Sequence, residues 1–245
     1  MKNFKITIQY DGSAYNGWQK QGNTTNTIQE RFENVLYRMC NTKIEIFASG
    51  RTDAGVHAEN QVANFRCKTN MDCEEVKKYL NKYLPKDILV KKVEDVDERF
   101  HSRLNSVSKT YEYLIATEKP NVFYRKYVYT TASVPNVEKM ISAACLFIGR
   151  HDFKGFSSVR RTKKSTVRTI NYINIKEEDG LIKIIINGTG FLYNMVRIIS
   201  GTLLEIGEGY LEPEIINEIF LEKDRKKAGR TLPACGLKLT EVNYQ

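Results

Sequence analysis

Histidine is scarce in this chain: His57, His101 and His151 are the only three in 245 residues, and no two share a helical spacing. Neither they nor any dense carboxylate cluster forms a ligand set, so metal chemistry is not expected. Cysteine is nearly as sparse. Cys40, Cys67, Cys73, Cys145 and Cys235 are scattered and odd in number, with no C-x-x-C pair, which excludes a disulfide framework and a zinc knuckle. Long apolar runs are missing, and Met1-Lys2-Asn3-Phe4 leads straight into an alternating strand, so neither signal peptide nor membrane span is expected and the cytoplasm is. There is no P-loop, no G-x-G-x-x-G after a strand and no Ser/His/Asp arrangement, so no cofactor is expected.

Positive charge is in excess. Against 29 acidic residues stand 38 Lys and Arg, a net +9 that favours a polyanionic partner. Much of the excess is clustered. Arg150, Lys154, Arg160, Arg161, Lys163, Lys164 and Arg168 crowd one segment, and Lys223, Arg225, Lys226, Lys227 and Arg230 another. Runs of this kind hold phosphate by counterion release, or simply face water. Phe153, Phe156, Tyr111 and Tyr113 are of a type that stacks on exposed bases, and at strand spacing equally of a type that builds a core.

Hydrophobic periodicity gives the order of elements. Phe4 to Tyr10 alternates as a strand. Thr27-Ile28-Gln29-Glu30 then opens a helix that places Ile28, Phe32, Val35, Leu36 and Met39 on one face. Residues 43–49 and 61–67 read as strands, 72–83 as a helix capped by Asp72 and Glu75, and 88–96 as a strand. The second half repeats the theme with a strand at 109–116, a helix at 136–148 and a hairpin of 166–176 and 181–187 about Glu178-Asp179-Gly180. Helices at 191–205 and 214–220 and a strand at 237–242 complete it. The expected fold is α+β, two ferredoxin-like β-α-β-β-α-β halves (1–104 and 105–245) in a largely antiparallel mixed sheet with helices on one face.

Between the second and third strands stands Ser49-Gly50-Arg51-Thr52-Asp53-Ala54-Gly55-Val56-His57. Arg51 brings a cation beside the Asp53 carboxylate, and Gly50 and Gly55 admit backbone shapes other residues resist. By itself such a carboxylate serves as nucleophile, acid or ligand. Arg197, a cation in the otherwise apolar Phe191–Ile198 stretch, calls for a carboxylate partner, for which Asp53 is the natural candidate, or else reaches to solvent or pairs with a structural Glu.

Taken in order, Tyr10-Asp11-Gly12 with Gly17-Trp18-Gln19, the Gly50–His57 run, Arg99-Phe100-His101-Ser102-Arg103, Lys109-Thr110-Tyr111-Glu112-Tyr113, Gly190–Arg197 and Pro233–Leu239 resemble the tRNA pseudouridine synthase A family over nearly the whole chain. Ser102, where the family commonly has Ala, and Glu30, where Gly is frequent, depart from it at positions the chemistry does not depend on. The resemblance implies the pseudouridine synthase fold and a cofactor-free homodimer that isomerises uridine in the anticodon stem-loop of tRNA, typically at positions 38 to 40. It also implies that Asp53 is the catalytic carboxylate, that Tyr111 stacks on the uracil and that Arg197 pairs with Asp53. Arg51 would fill the space of the extruded nucleotide, and His57, Arg103, Lys154, Arg160 and Arg161 would hold RNA. Attack by Asp53 on the sugar, attack on uracil C6 and assistance to glycal formation all stay open. A non-catalytic RNA-binding module shares the β-α-β-β-α-β order but lacks its own aromatic signature here and leaves the Gly50–His57 run without a reason. A metal-dependent nuclease fails on ligand count.

Overall fold

The computed structural model describes residues 1–159 and 163–245. The chain divides into two units, Met1–Val107 with Leu239–Gln245, and Ser108–Lys238. The first begins with β1 (Lys2–Tyr10), α1 (Ile28–Cys40), β2 (Ile46–Ala48), β3 (His57–Cys67), α2 (Cys73–Tyr83) and β4 (Ile88–Val96). The second holds β5 (Ser106–Ala116), β6 (Tyr129–Thr130), α3 (Val137–Ala144), β7 (Gly149–Asp152), β8 (Val167–Glu178), β9 (Leu181–Gly188), α4 (Met195–Gly207) and α5 (Ile215–Glu222). β10 (Leu237–Tyr244) ends the chain.

In the first unit β1 runs antiparallel between β3 and β4, and β2 pairs with the far end of β3. The order β4-β1-β3-β2 is that of a ferredoxin-like sheet. Alternation on β1 buries Phe4, Ile6 and Ile8 completely, and α1 and α2 add Phe32, Leu36, Val76 and Leu80 to the buried set. Both helices start where the local chemistry says they should. The Thr27 hydroxyl accepts from the Glu30 amide, and Asp72 and Glu75 form a reciprocal capping box. α2 is tied to β4 by Asn81, whose side chain both donates to the Val90 carbonyl at 2.9 Å and accepts from its amide at 2.8 Å.

In the second unit the order is β5-β9-β8-β7, antiparallel throughout, with β6 added parallel to β5. The β8–β9 hairpin turns on Asp179 and Gly180, both at positive φ, which matches the right-handed twist of the flanking strands.

Four of the boundaries that differ from the sequence reading have a local reason. β2 keeps only three residues, because Lys43 and Glu45 are exposed and leave the strand no apolar face. β3 starts at His57, since its pairing with β1 continues to Tyr10 opposite Ala58. α4 starts at Met195, because Asn194 lies in the left-handed region (φ 60°) and cannot continue a helix. α3 ends at Ala144 in a 3-10 turn, Cys145–Phe147. The unit division also differs from a cut at 104/105: the final strand belongs with the first unit because it lies beside β3, where Asn60 Nδ2 donates to the Thr240 carbonyl at 2.8 Å.

Candidate active site

The Asp53 loop joins β2 to β3 and is fixed on both sides of Arg51 by buried neutral groups. On the near side, Ser49 Oγ donates to Gln61 Oε1 at 2.7 Å and Gln61 Nε2 donates to the Gly50 carbonyl at 3.0 Å. Beyond Arg51, Thr52 Oγ1 lies 2.7 Å from the Tyr10 hydroxyl. Ser49, Thr52, Gln61 and Tyr10 are all buried. Burial pushes the Tyr10 phenol up to about 12, against the smaller opposing effect of its hydrogen bonds to Thr52 and Gln61, so it stays neutral.

The segment 10–18 packs against this loop backbone to backbone. Trp18 N–H donates to the Thr52 carbonyl at 3.0 Å and Gly55 N–H to the Tyr15 carbonyl at 3.3 Å. The approach requires glycine. A Cβ on Gly12 would sit 2.0 Å from the Val56 oxygen, and one on Gly17, whose φ is +88°, would sit 2.7 Å from the Thr52 oxygen. Trp18, 1% exposed, anchors the segment against Phe32 and Tyr10 at ring separations of 6.2 and 6.1 Å. Within the loop, Val56 N–H donates to the Asp53 carbonyl at 3.1 Å with Gly55 at φ +78°, so Asp53 opens a tight turn. The result is a half-buried Asp53 carboxylate with an exposed Arg51 two residues before it.

His57 is buried at the start of β3. Its ring is 5% exposed, with Nδ1 3.0 Å from the Gly12 nitrogen and 3.1 Å from Asp11 Oδ1. A neutral ring accepts from the Gly12 amide and a protonated one donates to Asp11; in both states Nδ1 serves the 11–12 turn rather than a phosphate. Arg103 is exposed on the loop after Ser102, which is fully buried and donates its hydroxyl to the Phe47 carbonyl and to Asn64 Oδ1. Ser102 thus ties the 101–105 loop to β2 and β3.

In the second unit Tyr111 is buried on β5 opposite Ile186 and meets the ring of Phe191 edge-on at 5.1 Å. Tyr113 shares its face but is a core residue: it is fully buried and its hydroxyl donates to the Pro233 carbonyl at 2.7 Å. Arg197 lies in the first turn of α4. Its Nε donates to the Leu232 carbonyl at 2.6 Å and its Nη1 to Asn194 Oδ1 at 2.7 Å. Lys154 is exposed at the tip of a turn. Phe153 and Phe156 beside it are not available for base stacking, because both are fully buried in a cluster with Phe147 and Phe220. Arg160 and Arg161 lie outside the described residues.

The two basic runs differ. In the second, Lys223 pairs with Asp152 at 2.8 Å, Lys227 with Glu222 and Glu218 at 2.7 and 3.2 Å, and Arg230 with Glu208 and Glu205 at 2.7 and 3.3 Å. Arg225 donates to the Ala228 carbonyl and to Thr231. That run is largely engaged within its own unit, unlike the exposed Lys154.

The first unit therefore holds Arg51, Asp53, His57 and Arg103, and the second Tyr111, Lys154 and Arg197. Sequence reasoning missed the supports: Tyr10, Thr52 and Gln61 under Asp53, and Asn194 beside Arg197. The first set carried a signal, since Tyr10-Asp11-Gly12 and Thr52 both stand in the motifs singled out. Among the described residues no group of three or more His, Cys, Asp or Glu side chains is placed to hold a metal ion, and no helix is long and apolar enough to cross a membrane.

A family model described as tRNA pseudouridine synthase matches residues 6–105 and 143–245. A protein from Bacillus sp. (strain KSM-64) named tRNA pseudouridine synthase A is 49% identical over 245 residues, the full length of both chains. Another from Clostridium tetani (strain Massachusetts / E88), named tRNA pseudouridine synthase A 1, is 46% identical over the same full span. Among solved structures, a chain of a Cbf5-Nop10-Gar1 complex aligns with 96% of this chain and 48% of its own length, at a TM-score of 0.39 and 12% identity.

Proposed function

The chain belongs to the tRNA pseudouridine synthase family, and on that premise we propose that it converts uridine to pseudouridine at positions 38 to 40 of the tRNA anticodon stem-loop, with Asp53 as nucleophile. The reaction breaks the N1–C1′ bond of uridine, turns the uracil and joins C5 to C1′. The C5 proton leaves and N1 gains one, so atoms and electrons balance without an oxidant or reductant. What the protein must supply is a group that holds one fragment while the other turns, and a carboxylate bonded to C1′ or to C6 does so.

The observation that carries this reading is the rigid seat of Asp53. Its loop is clamped by Tyr10, Thr52 and Gln61 and wedged against the backbone of residues 12–17. A nucleophile gains from being held in place before the substrate arrives. In this proposal Tyr111 lies against the uracil and excludes water, and Arg197 pairs with Asp53 and keeps it ionised. Arg51 occupies the space vacated by the flipped nucleotide. Arg103, Lys154, Arg160 and Arg161 hold RNA backbone, which positions without reading sequence. We further assign a cytoplasmic homodimer across which the tRNA lies.

The decisive test is Asp53→Asn with an anticodon stem-loop substrate. tRNA binding is expected to persist while pseudouridine formation is abolished; turnover near that of the parent enzyme sinks the assignment. A second test is Arg197→Leu. Without the cation the Asp53 carboxyl rises, so the acid limb of the rate profile moves to higher pH. An unmoved limb rules out the pairing.

A further inference from the structure

Asn194 breaks a local rule. It is the N-cap of α4, and an asparagine there ordinarily accepts a hydrogen bond from a backbone N–H of the first turn. Here no such bond forms. The amide is turned outward instead: Oδ1 accepts from Arg197 Nη1 at 2.7 Å, and Nδ2 donates to Ser158 Oγ at 3.0 Å. Arg197 breaks a second rule, since a cation in the first turn of a helix faces the positive end of the helix dipole. Two unfavourable local choices meeting in one hydrogen bond indicate a purpose other than stability.

The bond fixes the guanidinium. With Nε on the Leu232 carbonyl and Nη1 on Asn194, the plane of the group is set at two points. Ser158 carries the connection onward. Its own N–H donates to the Tyr193 carbonyl at 3.0 Å, so the residue is latched to the 193–194 turn twice. It ends a compact turn, residues 153–158, in which Phe156 N–H bonds the Phe153 carbonyl and the Ser157 hydroxyl bonds the Lys154 carbonyl. That turn is seated on α5: Phe153 and Phe156 are buried against Phe220, and a Cβ on Gly155 would lie 2.6 Å from Ile219 Cγ2. Lys154 projects from its tip.

We propose that Asn194 is a positioning residue for the isomerisation: it orients the Arg197 guanidinium and fastens it through Ser158 to the Lys154 turn, so that RNA backbone held at Lys154 and the charge at Arg197 are set by one rigid connection. This rests on the role given to Arg197 above. The residue type fits. An amide offers both the acceptor that Arg197 requires and a donor for Ser158, and asparagine tolerates the left-handed backbone at this position.

The test uses the full-length enzyme with an anticodon stem-loop substrate, compared as Asn194→Gly, Ser158→Ala and Arg197→Leu. Glycine keeps the left-handed backbone and removes only the side chain. It is expected to lower kcat by about tenfold to a hundredfold, the scale of a hydrogen bond to a charged group, with KM within about twofold and the acid limb displaced in the same direction as in Arg197→Leu. Ser158→Ala is expected to lower kcat about threefold with the same sign of displacement. A purely structural Asn194 would lower the melting temperature and leave kcat and the limb alone. If Asn194→Gly keeps the parent kcat and pH profile while Arg197→Leu does not, the positioning role is overturned and the Arg197 reading stands. If Arg197→Leu is also indistinguishable from the parent, it is the Arg197 reading that falls, and the proposal with it. Should Asn194→Gly lose its cooperative melt, Ser158→Ala, which removes one hydroxyl, decides by the same limb.

Discussion

The Asp53 loop and the start of α4 each hold a charged side chain, Asp53 and Arg197, and the two are supported by different means. Under Asp53 the supports are backbone carbonyls against glycines and a set of neutral buried hydroxyls and amides. Around α4 they are charged or charge-assisted: Arg197 on Asn194 and Leu232 at its first turn, Arg230 and two hydroxyls on Glu208 at its last. A site built from backbone contact is intolerant of added volume. One built from ion pairs also responds to acid.

The largest effect should come from adding one methyl group to the first region. In Gly12→Ala the new Cβ would stand 2.0 Å from the Val56 oxygen, and main-chain atoms on both sides leave no flexible end to yield. A cost of about 3 kcal/mol in the stability of the first unit is expected, with a matching loss of activity as the loop is displaced. Gly17→Ala adds a strained φ to its own clash and should fall in the same range. Denaturant titration followed by Trp18 fluorescence measures both. A melt equal to the parent's would break the claim that glycine holds this region.

Next in size is Glu208→Gln in the second region. Burial raises the Glu208 carboxyl, but hydrogen bonds from Thr131, Ser133 and Arg230 outweigh it and hold the group below the usual glutamate range. A carboxyl held lower in the folded state than in the unfolded one stabilises fully above its unfolded value and loses that contribution as pH falls through the folded one. Glu208→Gln should therefore cost about 2 kcal/mol near neutral pH, and the gap to the parent should close in acid. Urea titrations at about pH 7 and about pH 3 give the two numbers. A gap that widens in acid would reverse the assignment of charge to this region.

A smaller effect sharpens the first half of the comparison. Tyr10→Phe leaves the buried Thr52 hydroxyl without its 2.7 Å partner, and Thr52→Val leaves the Tyr10 hydroxyl so. Each single change is expected to cost about 1 to 2 kcal/mol, and the double change less than their sum, because removing both partners removes the unsatisfied group. Strict additivity would mean that the pair does not act as a unit.

These contrasts also explain what could be read in the sequence and what could not. The caps at Thr27 and Asp72, the strand alternation of Phe4, Ile6 and Ile8 and the Asp179-Gly180 turn are local, so their residues declare them. The Gly50–His57 run stands out in the sequence because glycines and charges rarely gather without cause. Its seat was less visible: that Gly12 and Gly17 face the Val56 and Thr52 carbonyls is a tertiary fact. The start of α4 was misplaced because apolar periodicity runs on through Phe191–Asn194, whereas a single left-handed residue ends it. The run 223–230 suggested a phosphate surface because three of the acids that pair with it, Asp152, Glu205 and Glu208, lie well before it in the chain.

That last correction yields the finest test, a comparison of two lysines within the second unit. Lys154 is exposed on a turn seated by buried phenylalanines, whereas Lys227 is held between Glu218 and Glu222. A lysine that neutralises a phosphate releases a counterion, and its loss lowers the slope of log K against log salt by about 1. One already neutralised by carboxylates has little counterion to release. Lys154→Ala should therefore weaken RNA binding about fivefold at moderate salt and reduce the slope by about 0.9, while Lys227→Ala leaves the slope within error. Equal slopes for the two variants would mean that the pairing of the second run does not keep it from RNA, and that the two basic surfaces are alike after all.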